Sequence, residues 1–275
     1  MSGRTLLAPG PFRAEHVAEG SRYELSNGHP VYCPPTGRRG GASNLIGGPV
    51  LETDPAVKVA GVDVGFSKDP GHLRAPDVSV GDFAMEPGWA PGSPPLAVEY
   101  ADTGQDEAEL ERKIGELLGG GTRHVWVVRL VGPRRVEVHD QGQPMRLARP
   151  GDTLTAPGIL QNPVPVLALY DRDAAHEATL RNLLQRKGYE SLDAVRAEGK
   201  AEGKTEGKTE GKLHALFAVL AARGLAVSKT ERERILATTD PGVLDGWITR
   251  AATAGETAEV LAPPEPPRQR QRRME

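Results

Sequence analysis

The chain has little cysteine and few aromatic residues. Cys33 is the only cysteine among 275 residues, so the chain cannot form an internal disulfide. A single thiol fits a reducing compartment, and we expect a cytoplasmic protein. Only 4 Phe, 3 Trp and 5 Tyr are present. The core must therefore be built mainly from aliphatic side chains.

Long hydrophobic runs and an excess of one charge are also missing. No apolar run approaches the roughly 20 residues that a bilayer-spanning helix requires, and residues 1–8 are too weakly apolar for a secretory signal. We therefore expect a soluble protein with no membrane partner. Lys and Arg number 34 against 37 Asp and Glu, a net charge of −3. Any contact with nucleic acid must then come from a local patch.

Composition and predicted secondary structure divide the chain into four regions. Residues 1–172 carry nearly all the strand-like segments, and we expect one main domain there. Residues 173–212 begin with helix formers and pass into a Glu-Gly-Lys repeat. Residues 213–262 have helical spacing of apolar residues, and residues 263–275 form a Pro/Arg tail that we expect to be disordered.

The first region predicts a mixed α/β architecture. Asn27-Gly28 separates two short strand-like segments, which is typical of a β-hairpin. Further on, residues 96–100 and 124–128 are apolar, β-prone segments on either side of residues 106–118, whose apolar positions recur at helical spacing. Strand, helix and strand in this order predict a parallel crossover within a mixed central β-sheet flanked by helices.

The repeat contains Glu-Gly-Lys four times with a period of four, from Glu198 to Lys212. On a helix this period stacks like charges at i,i+4, which is mildly repulsive. Each glycine also costs about 1 kcal/mol relative to alanine. The pattern favours a flexible linker. A helix that continues from residues 173–197 into the repeat remains an alternative if both of its ends are anchored.

The region 213–262 predicts a C-terminal helical appendage of about fifty residues, which is near the lower limit for independent folding. We therefore expect it to need a partner surface. The main domain is one candidate. A second copy is the other, which would make the protein a homo-oligomer through its C-terminal helices.

Several standard catalytic motifs are absent. His176-Glu177 begins like a zinc-protease helix, but Leu180 stands where the second histidine belongs. The glycines at 119–121 are followed by a strand-like segment without Gly-Lys-Ser/Thr, which excludes a phosphate loop. Cys33 lies in a proline-rich loop, where we expect an inert thiol.

Two carboxylates and a lysine remain as a candidate site. Asp77 follows Pro76 at the start of an apolar segment, and Glu99 lies near the end of the segment 96–100. Lys113 shares the apolar stripe of the helix 106–118, and a lysine there needs an acidic partner. Carboxylates hold hard cations such as Mg²⁺, and a lysine can stabilise charge on a phosphodiester. Taken singly, each residue is more often a turn, a solvated acid or a surface lysine.

The order of these residues resembles the PD-(D/E)XK nuclease superfamily. Within it, five segments in sequence resemble the Uma-two family of restriction-endonuclease-like proteins, over residues 20–170. They are Tyr23-Glu24-Leu25 with Asn27-Gly28, the run Arg74-Ala75-Pro76-Asp77, Val98-Glu99, Glu109 to Lys113, and Gly121 with Trp126.

The resemblance implies a restriction-endonuclease-like core and a metal-dependent endonuclease that hydrolyses phosphodiester bonds of DNA. It implies that Asp77 and Glu99 bind Mg²⁺ or Mn²⁺. It also implies that Lys113 is the catalytic lysine, carried by the helix because Ala101 stands at the usual strand position. Glu24 would be an additional catalytic acid, although a glutamate before an Asn-Gly turn is more often an exposed hairpin residue than a catalytic one.

The chain also departs from that family. Asp102-Thr103-Gly104 follows the strand glutamate in place of a Ser-Pro-Ser-like turn. This change motivates an alternative function. In it, a catalytically decayed nuclease fold serves as a DNA-binding or assembly module.

Overall fold

The structure is a computed structural model that describes residues 10–263. The chain divides into two compact units, with the boundary between Ser191 and Leu192. Residues 264–275, which include nearly all of the predicted Pro/Arg tail, lie outside the described residues.

The first unit is a mixed α/β structure. Its strands are β1 (Tyr23–Ser26), β2 (His29–Tyr32), β3 (Val59–Val62), β4 (Phe66–Asp69), β5 (His72–Arg74), β6 (Val78–Gly81), β7 (Ala90–Pro91), β8 (Leu96–Ala101), β9 (His124–Arg129), β10 (Arg135–Asp140), β11 (Arg146–Ala148), β12 (Thr153–Leu154) and β13 (Val164–Pro165). Its helices are α1 (Arg38–Glu52), α2 (Glu107–Gly119) and α3 (Arg172–Arg186), with short 3-10 turns at Ala14–His16 and Val166–Leu169.

A six-stranded sheet in the order β11-β10-β9-β8-β6-β3 forms the centre of this unit. Strands β8 and β9 are parallel and joined through α2, which confirms the predicted crossover. Alternate side chains of β8 point to opposite faces of the central sheet. Val98 packs into a core that includes residues of α1 and α3, whereas Ala97 and Ala101 pack with residues of α2. The predicted mixed sheet with flanking helices is therefore confirmed.

A second sheet, in the order β2-β1-β5-β4-β7, carries the predicted hairpin. Asn27 and Gly28 both have positive φ, as a tight turn between β1 and β2 requires. After β5 the chain crosses to the central sheet through Ala75, Pro76 and Asp77 and continues as β6. Pro76 and Asp77 therefore lie at the junction of the two sheets.

Helix α1 is not predicted by its sequence, because it contains four glycines and Pro49. Tertiary packing explains why the helix forms. Val50 and Leu51 are buried in the main core, and a Cβ added to Gly47 would lie 1.9 Å from the Tyr100 hydroxyl. Gly47 thus lets the helix approach β8, where Tyr100 donates a hydrogen bond to the carbonyl of Leu169.

Helix α3 belongs to the first unit. Asn182 donates to the carbonyl of Val50 at 2.9 Å, and Arg186 donates to the carbonyl of Thr53 at 2.8 Å. The unit therefore ends at Ser191, later than the predicted boundary at residue 172. The difference arises because buried polar contacts with α1, which the local sequence does not reveal, hold this helix.

The second unit consists of helices. They are α4 (Leu192–Ala222), α5 (Lys229–Leu236), α6 (Pro241–Ala251) and α7 (Thr257–Val260). A compact apolar core forms among them; its buried members are Leu216, Leu220, Ile235, Leu244, Trp247, Ala251, Val260 and Leu261. The C-terminal helical appendage is thus present, and it has a core of its own.

The Glu-Gly-Lys repeat lies within α4 and is helical, not the flexible linker that its composition favours. The C-terminal part of the same helix is anchored, since Leu216 and Leu220 are fully buried against the other helices. The repeat thus lies in a continuous helix, as in the alternative, but that helix begins at Leu192 after α3 has ended at Arg186 and does not continue from residue 173.

Among the described residues, no helix is both long enough and apolar enough to span a bilayer.

We expect Gly47→Ala to destabilise the fold, because the new methyl group would overlap the Tyr100 hydroxyl. Overpacking of this kind costs about 1–3 kcal/mol, measurable by chemical denaturation. Gly48→Ala is the matched control in the same helix, since a Cβ there meets nothing within 4 Å. Adding Tyr100→Phe to Gly47→Ala should restore part of the loss. Equal stability of the two alanine variants would contradict the packing argument.

Candidate functional site

Three acidic residues lie at one end of three neighbouring strands. Val62 of β3 pairs with Val78 of β6, and Val78 pairs with Val98 of β8. One residue beyond these pairs, the register brings Asp63, Asp77 and Glu99 together. Directly opposed residues of antiparallel strands project to the same face. The end of the sheet therefore concentrates negative charge.

Helix α2 brings a cation to these acids. Glu99 lies between Ala97 and Ala101 in β8, on the face that packs against α2. Lys113 precedes Ile114 on the buried stripe of that helix, so it projects toward the same face. The alternation of the strand and the period of the helix thus explain why the two side chains meet.

The Lys113 ammonium contacts three oxygens. Its Nζ lies 2.8 Å from Glu99 Oε1 and 3.2 Å from Glu24 Oε1. It also donates a hydrogen bond of 2.7 Å to the carbonyl of Ala75. The structure therefore brings three predicted site residues, Glu24, Glu99 and Lys113, into direct contact.

The surrounding acids keep Lys113 charged. Burial by itself lowers the pKa of the Lys113 ammonium, but the charges of Glu24, Glu99 and Asp77 outweigh it and raise the pKa above its usual value. At neutral pH the side chain is therefore an ammonium. It can donate hydrogen bonds and stabilise negative charge, but it cannot accept a proton.

The surroundings of Glu99, in contrast, favour the uncharged form of its side chain. Burial raises the pKa of its carboxyl to about 8, and the charges of Asp77 and Glu24 contribute in the same direction against the influence of Lys113. One lysine therefore does not balance the local negative charge. The site gains stability by taking up a further positive charge, either a proton or a cation.

Asp77 is held from the backbone. The N–H of Tyr100 donates to its Oδ2 at 2.6 Å. Because Tyr100 directly follows Glu99, this bond fixes the Asp77 carboxylate beside the Glu99 backbone. The charge of Asp77 raises the pKa of both Glu99 and Lys113, although burial is the largest influence on each.

Glu24 is buried, not exposed, because a second cation lies behind it. Arg74 Nη1 contacts Glu24 Oε2 at 3.0 Å and Glu109 Oε1 at 2.8 Å, and its Nε donates to Glu116. Glu24 therefore bridges Arg74 through one oxygen and Lys113 through the other. This arrangement fixes the Glu24 side chain on both sides.

Arg74 is a buried structural cation. An arginine beside a nuclease site could face a phosphate group, but Arg74 is only 3% exposed and is surrounded by glutamates. It supports the acids from behind and does not face solvent. Helical spacing gives a hint of this role, since Glu109 and Glu116 lie seven positions apart on one side of α2.

Asp63 is the site residue that sequence reasoning missed. It follows β3, and its φ of 53° lies in the left-handed region. Partial desolvation of its carboxyl and the charge of Asp77 raise the pKa of Asp63, while Lys113 opposes them. The sequence offers one hint, because an aspartate directly after a strand tolerates this backbone conformation better than most residues.

Cys33 lies near the same acids. Burial and the charge of Glu24 raise the pKa of its thiol to about 12. The side chain therefore stays a neutral thiol at neutral pH, and its acidity does not suit a nucleophile.

The turn that follows Glu99 in the sequence is tied to α1. Asp102 accepts hydrogen bonds from Arg39, with Nε 2.9 Å from Oδ1 and 3.0 Å from Oδ2. These bonds hold the pKa of the Asp102 carboxyl well below its usual range. An ion pair thus replaces the turn motif that is usual in the family the sequence resembles.

The acidic side chains of the site do not form a ready-made metal site with three or more protein ligands. Across residues 10–263, no group of three or more His, Cys, Asp or Glu side chains is arranged to hold a metal ion. The acids surround Lys113 instead.

Comparison with known proteins shows the family and agrees with the fold. The sequence profile of the Uma2 family, described as "Putative restriction endonuclease", matches residues 12–167. That range contains Glu24, Asp77, Glu99 and Lys113. No curated protein matches the chain.

A solved structure supports the fold independently. It is described as a putative nuclease belonging to DUF820 from Anabaena variabilis ATCC 29413, and it is similar to this chain with a TM-score of 0.52 and 16% sequence identity. The match covers 59% of this chain and 99% of that one. At this identity the similarity concerns the fold alone.

We expect Arg74→Met to destabilise the protein strongly, because it leaves the buried Glu24 and its neighbours without their cation. Breaking a buried ion pair from one side costs about 3–5 kcal/mol. Arg112→Met is the matched control, since Arg112 pairs with Glu109 but is mainly exposed, and we expect a change within about 0.5 kcal/mol. Chemical denaturation measures both, and similar losses would refute the supporting role of Arg74.

We expect Glu99→Gln to stabilise the metal-free protein increasingly as the pH rises. The folded-state pKa of about 8 exceeds the ordinary value of 4.5, so the stabilising contribution of this group is present below the lower value and is lost toward the upper one. Melting temperatures in chelator-containing buffers should agree near pH 4.5 and diverge by several degrees near pH 8. Glu111→Gln, an exposed change on α2, should show no such divergence. A pH-independent difference for Glu99→Gln would contradict the raised pKa.

Proposed function

Since the chain belongs to the Uma2 family of "Putative restriction endonuclease" proteins, we propose that it is a metal-dependent endonuclease that hydrolyses phosphodiester bonds of DNA. The observation that carries the proposal is the convergence of Glu24, Glu99 and Lys113, with Asp77 beside them, at one end of the central sheet. We propose Asp77 and Glu99 as metal ligands, and Lys113 and Glu24 as further catalytic residues.

The donor set fits a hard divalent cation such as Mg²⁺ or Mn²⁺. Carboxylate oxygens are the ligands these ions prefer, and Mg²⁺ commonly uses one or two carboxylates while water and substrate phosphate complete its shell. Two carboxylates are therefore sufficient. The raised pKa of Glu99, which stems from burial and then from the charge of Asp77, supports the need for more positive charge than Lys113 supplies.

A bound divalent ion would lower the pKa of a water molecule and reduce the negative charge of a phosphate group. The side chains of this chain would do the remaining work. The Tyr100 N–H orients the carboxylate of Asp77. Lys113 stays protonated and would place its ammonium against the developing charge of the phosphodiester, which makes it an electrostatic catalyst and not a general base. Glu24, held by Arg74, would orient that ammonium.

The second candidate function is a decayed nuclease fold that acts as a DNA-binding or assembly module. The observation that favours it is the position of Lys113 Nζ, which contacts both Glu24 and Glu99 and neutralises part of the charge that a metal would use. Isothermal titration with Mg²⁺ or Mn²⁺ separates the two functions. An active site should bind metal and lose that binding in Asp77→Asn, whereas a decayed site should bind none.

We expect Asp77→Asn, Glu99→Gln and Lys113→Met each to lower Mg²⁺-dependent nicking of supercoiled DNA by at least about 100-fold, the lower range for removal of a catalytic group. Glu111→Gln makes the same chemical change as Glu99→Gln at an exposed position of α2 and should retain activity. Circular dichroism checks that each variant is folded. Folded variants of Asp77 and Glu99 with unchanged nicking would overturn the assignment.

A further inference from the structure

The Glu-Gly-Lys segment of α4 forms a helix without an apolar face. Every residue from 196 to 208 is exposed, although the helix continues to Ala222. A helix that is polar on all sides lacks the packing that normally stabilises helices in proteins. Its like charges at i,i+4 weaken it further. The segment therefore needs support that its own turns do not provide.

The four glycines of the segment have no explanation within the chain. We call Gly199, Gly203, Gly207 and Gly211 the glycine ridge. A Cβ added at any of them meets nothing within 4 Å, and none has a positive φ. Alanine would fit each position and would favour the helix by about 1 kcal/mol per residue. Glycine at every fourth position of a helix leaves a surface without side chains, which allows another backbone to approach closely.

The charged residues flank this ridge in an ordered way. In each repeat, glutamate precedes the glycine and lysine follows it, so each side chain lies about 100° around the helix from the ridge, in opposite directions. We call Glu198, Glu202, Glu206 and Glu210 the acidic stripe, and Lys200, Lys204 and Lys208 the basic stripe. The remaining positions, Ala201, Thr205 and Thr209, lie behind the ridge.

The two stripes do not satisfy each other within one helix. In the described part of the chain, no residue of either stripe takes part in an ion pair, whereas the next lysine, Lys212, pairs with Asp245 of α6. Glutamate and lysine lie two residues apart in each repeat, and side chains at this spacing do not face each other. Both stripes are therefore available to a partner that presents complementary charge.

We propose that the glycine ridge is a docking surface for the same helix of a second copy, arranged in parallel. In a parallel helix pair, opposite flanks of the two helices face each other, as e and g positions do in coiled coils. The acidic stripe of one copy would then meet the basic stripe of the other, on both sides of the contact. The absence of side chains along the ridge lets the two backbones approach closely.

The sequence of the repeat excludes the antiparallel alternative on electrostatic grounds. Antiparallel helices bring the same flank of each copy together, so glutamates would face glutamates and lysines would face lysines. A second copy fits the ridge in parallel because the repeat is complementary to itself. This inference goes beyond the proposed function and does not depend on it.

The proposal also moves the predicted homo-oligomer contact within the C-terminal helices. Most large apolar residues of the region 213–262, for example Leu216 and Trp247, already pack into their own core, and Leu236 and Val243 are the ones that remain exposed among the described residues there. Rows of residues at i±4 pack with a crossing angle of about −50°. The contact would then span only a few repeats. We expect a weak dimer whose population depends on protein concentration and falls with salt.

Charge variants of the full chain test the pairing. Sedimentation equilibrium of the natural chain should show a dimer at about 0.1 M salt that weakens at about 1 M. Lysine at all four positions of the acidic stripe should give a monomer, as should glutamate at all three positions of the basic stripe. Mixing the two variants should restore a dimer, and native mass spectrometry should identify one copy of each. A monomeric natural chain at every concentration would overturn the proposal, as would a dimer that both variants retain.

A glycine variant separates docking from helix stability. Replacing the four residues of the glycine ridge with glutamine should increase helicity in circular dichroism, since glutamine favours helices by roughly 0.5–1 kcal/mol per residue over glycine. The same variant should be a monomer, because the added side chains keep the two backbones apart. A dimer that survives with higher helicity would refute the ridge as the contact. Unchanged association and unchanged helicity would likewise count against it.

Discussion

The buried ammonium of Lys113 is the interaction on which the candidate site depends. It contacts Glu24 from the second sheet and Glu99 from the central sheet, and it also binds the carbonyl of Ala75 in the segment that joins the two sheets. One side chain of α2 thus connects β1, β8 and the segment that joins the two sheets. Without this charge the acids would be buried together, and their repulsion would oppose the fold.

Arg74 is a second buried cation that compensates glutamates, and it lies farther from the site than Lys113 does. Its guanidinium contacts Glu24, Glu109 and Glu116, so ion pairs attach α2 to the second sheet. The apolar stripe of α2 packs against the central sheet instead. Yet the two cations do not remove the local excess of negative charge, since burial and the neighbouring Asp77 raise the pKa of Glu99. A fold that only had to be stable would not need this excess. Its retention is consistent with a site that takes up a further cation.

The two units illustrate different relations between sequence and stability. In the first unit, apolar strands bury their side chains on both faces of the central sheet. In the second, a closed core supports one half of α4 while the Glu-Gly-Lys half remains exposed. Composition alone predicts a flexible linker there, because glycines and like charges oppose a helix. The buried C-terminal half anchors one end of this helix, whereas residues 196–208 bury no side chain.

Local sequence was enough to predict the hairpin at Asn27-Gly28 and the parallel crossover from β8 through α2 to β9, because turn chemistry and hydrophobic periodicity act over a few residues. It also singled out Asp77, Glu99 and Lys113 as candidates. Long-range packing accounts for the other features. It formed α1 despite its glycines, buried Glu24 and Arg74, and brought Asp63 beside Asp77 through strand register. These outcomes depend on contacts between residues far apart in the chain, and their energies are set by burial and neighbouring charge, which local sequence does not report.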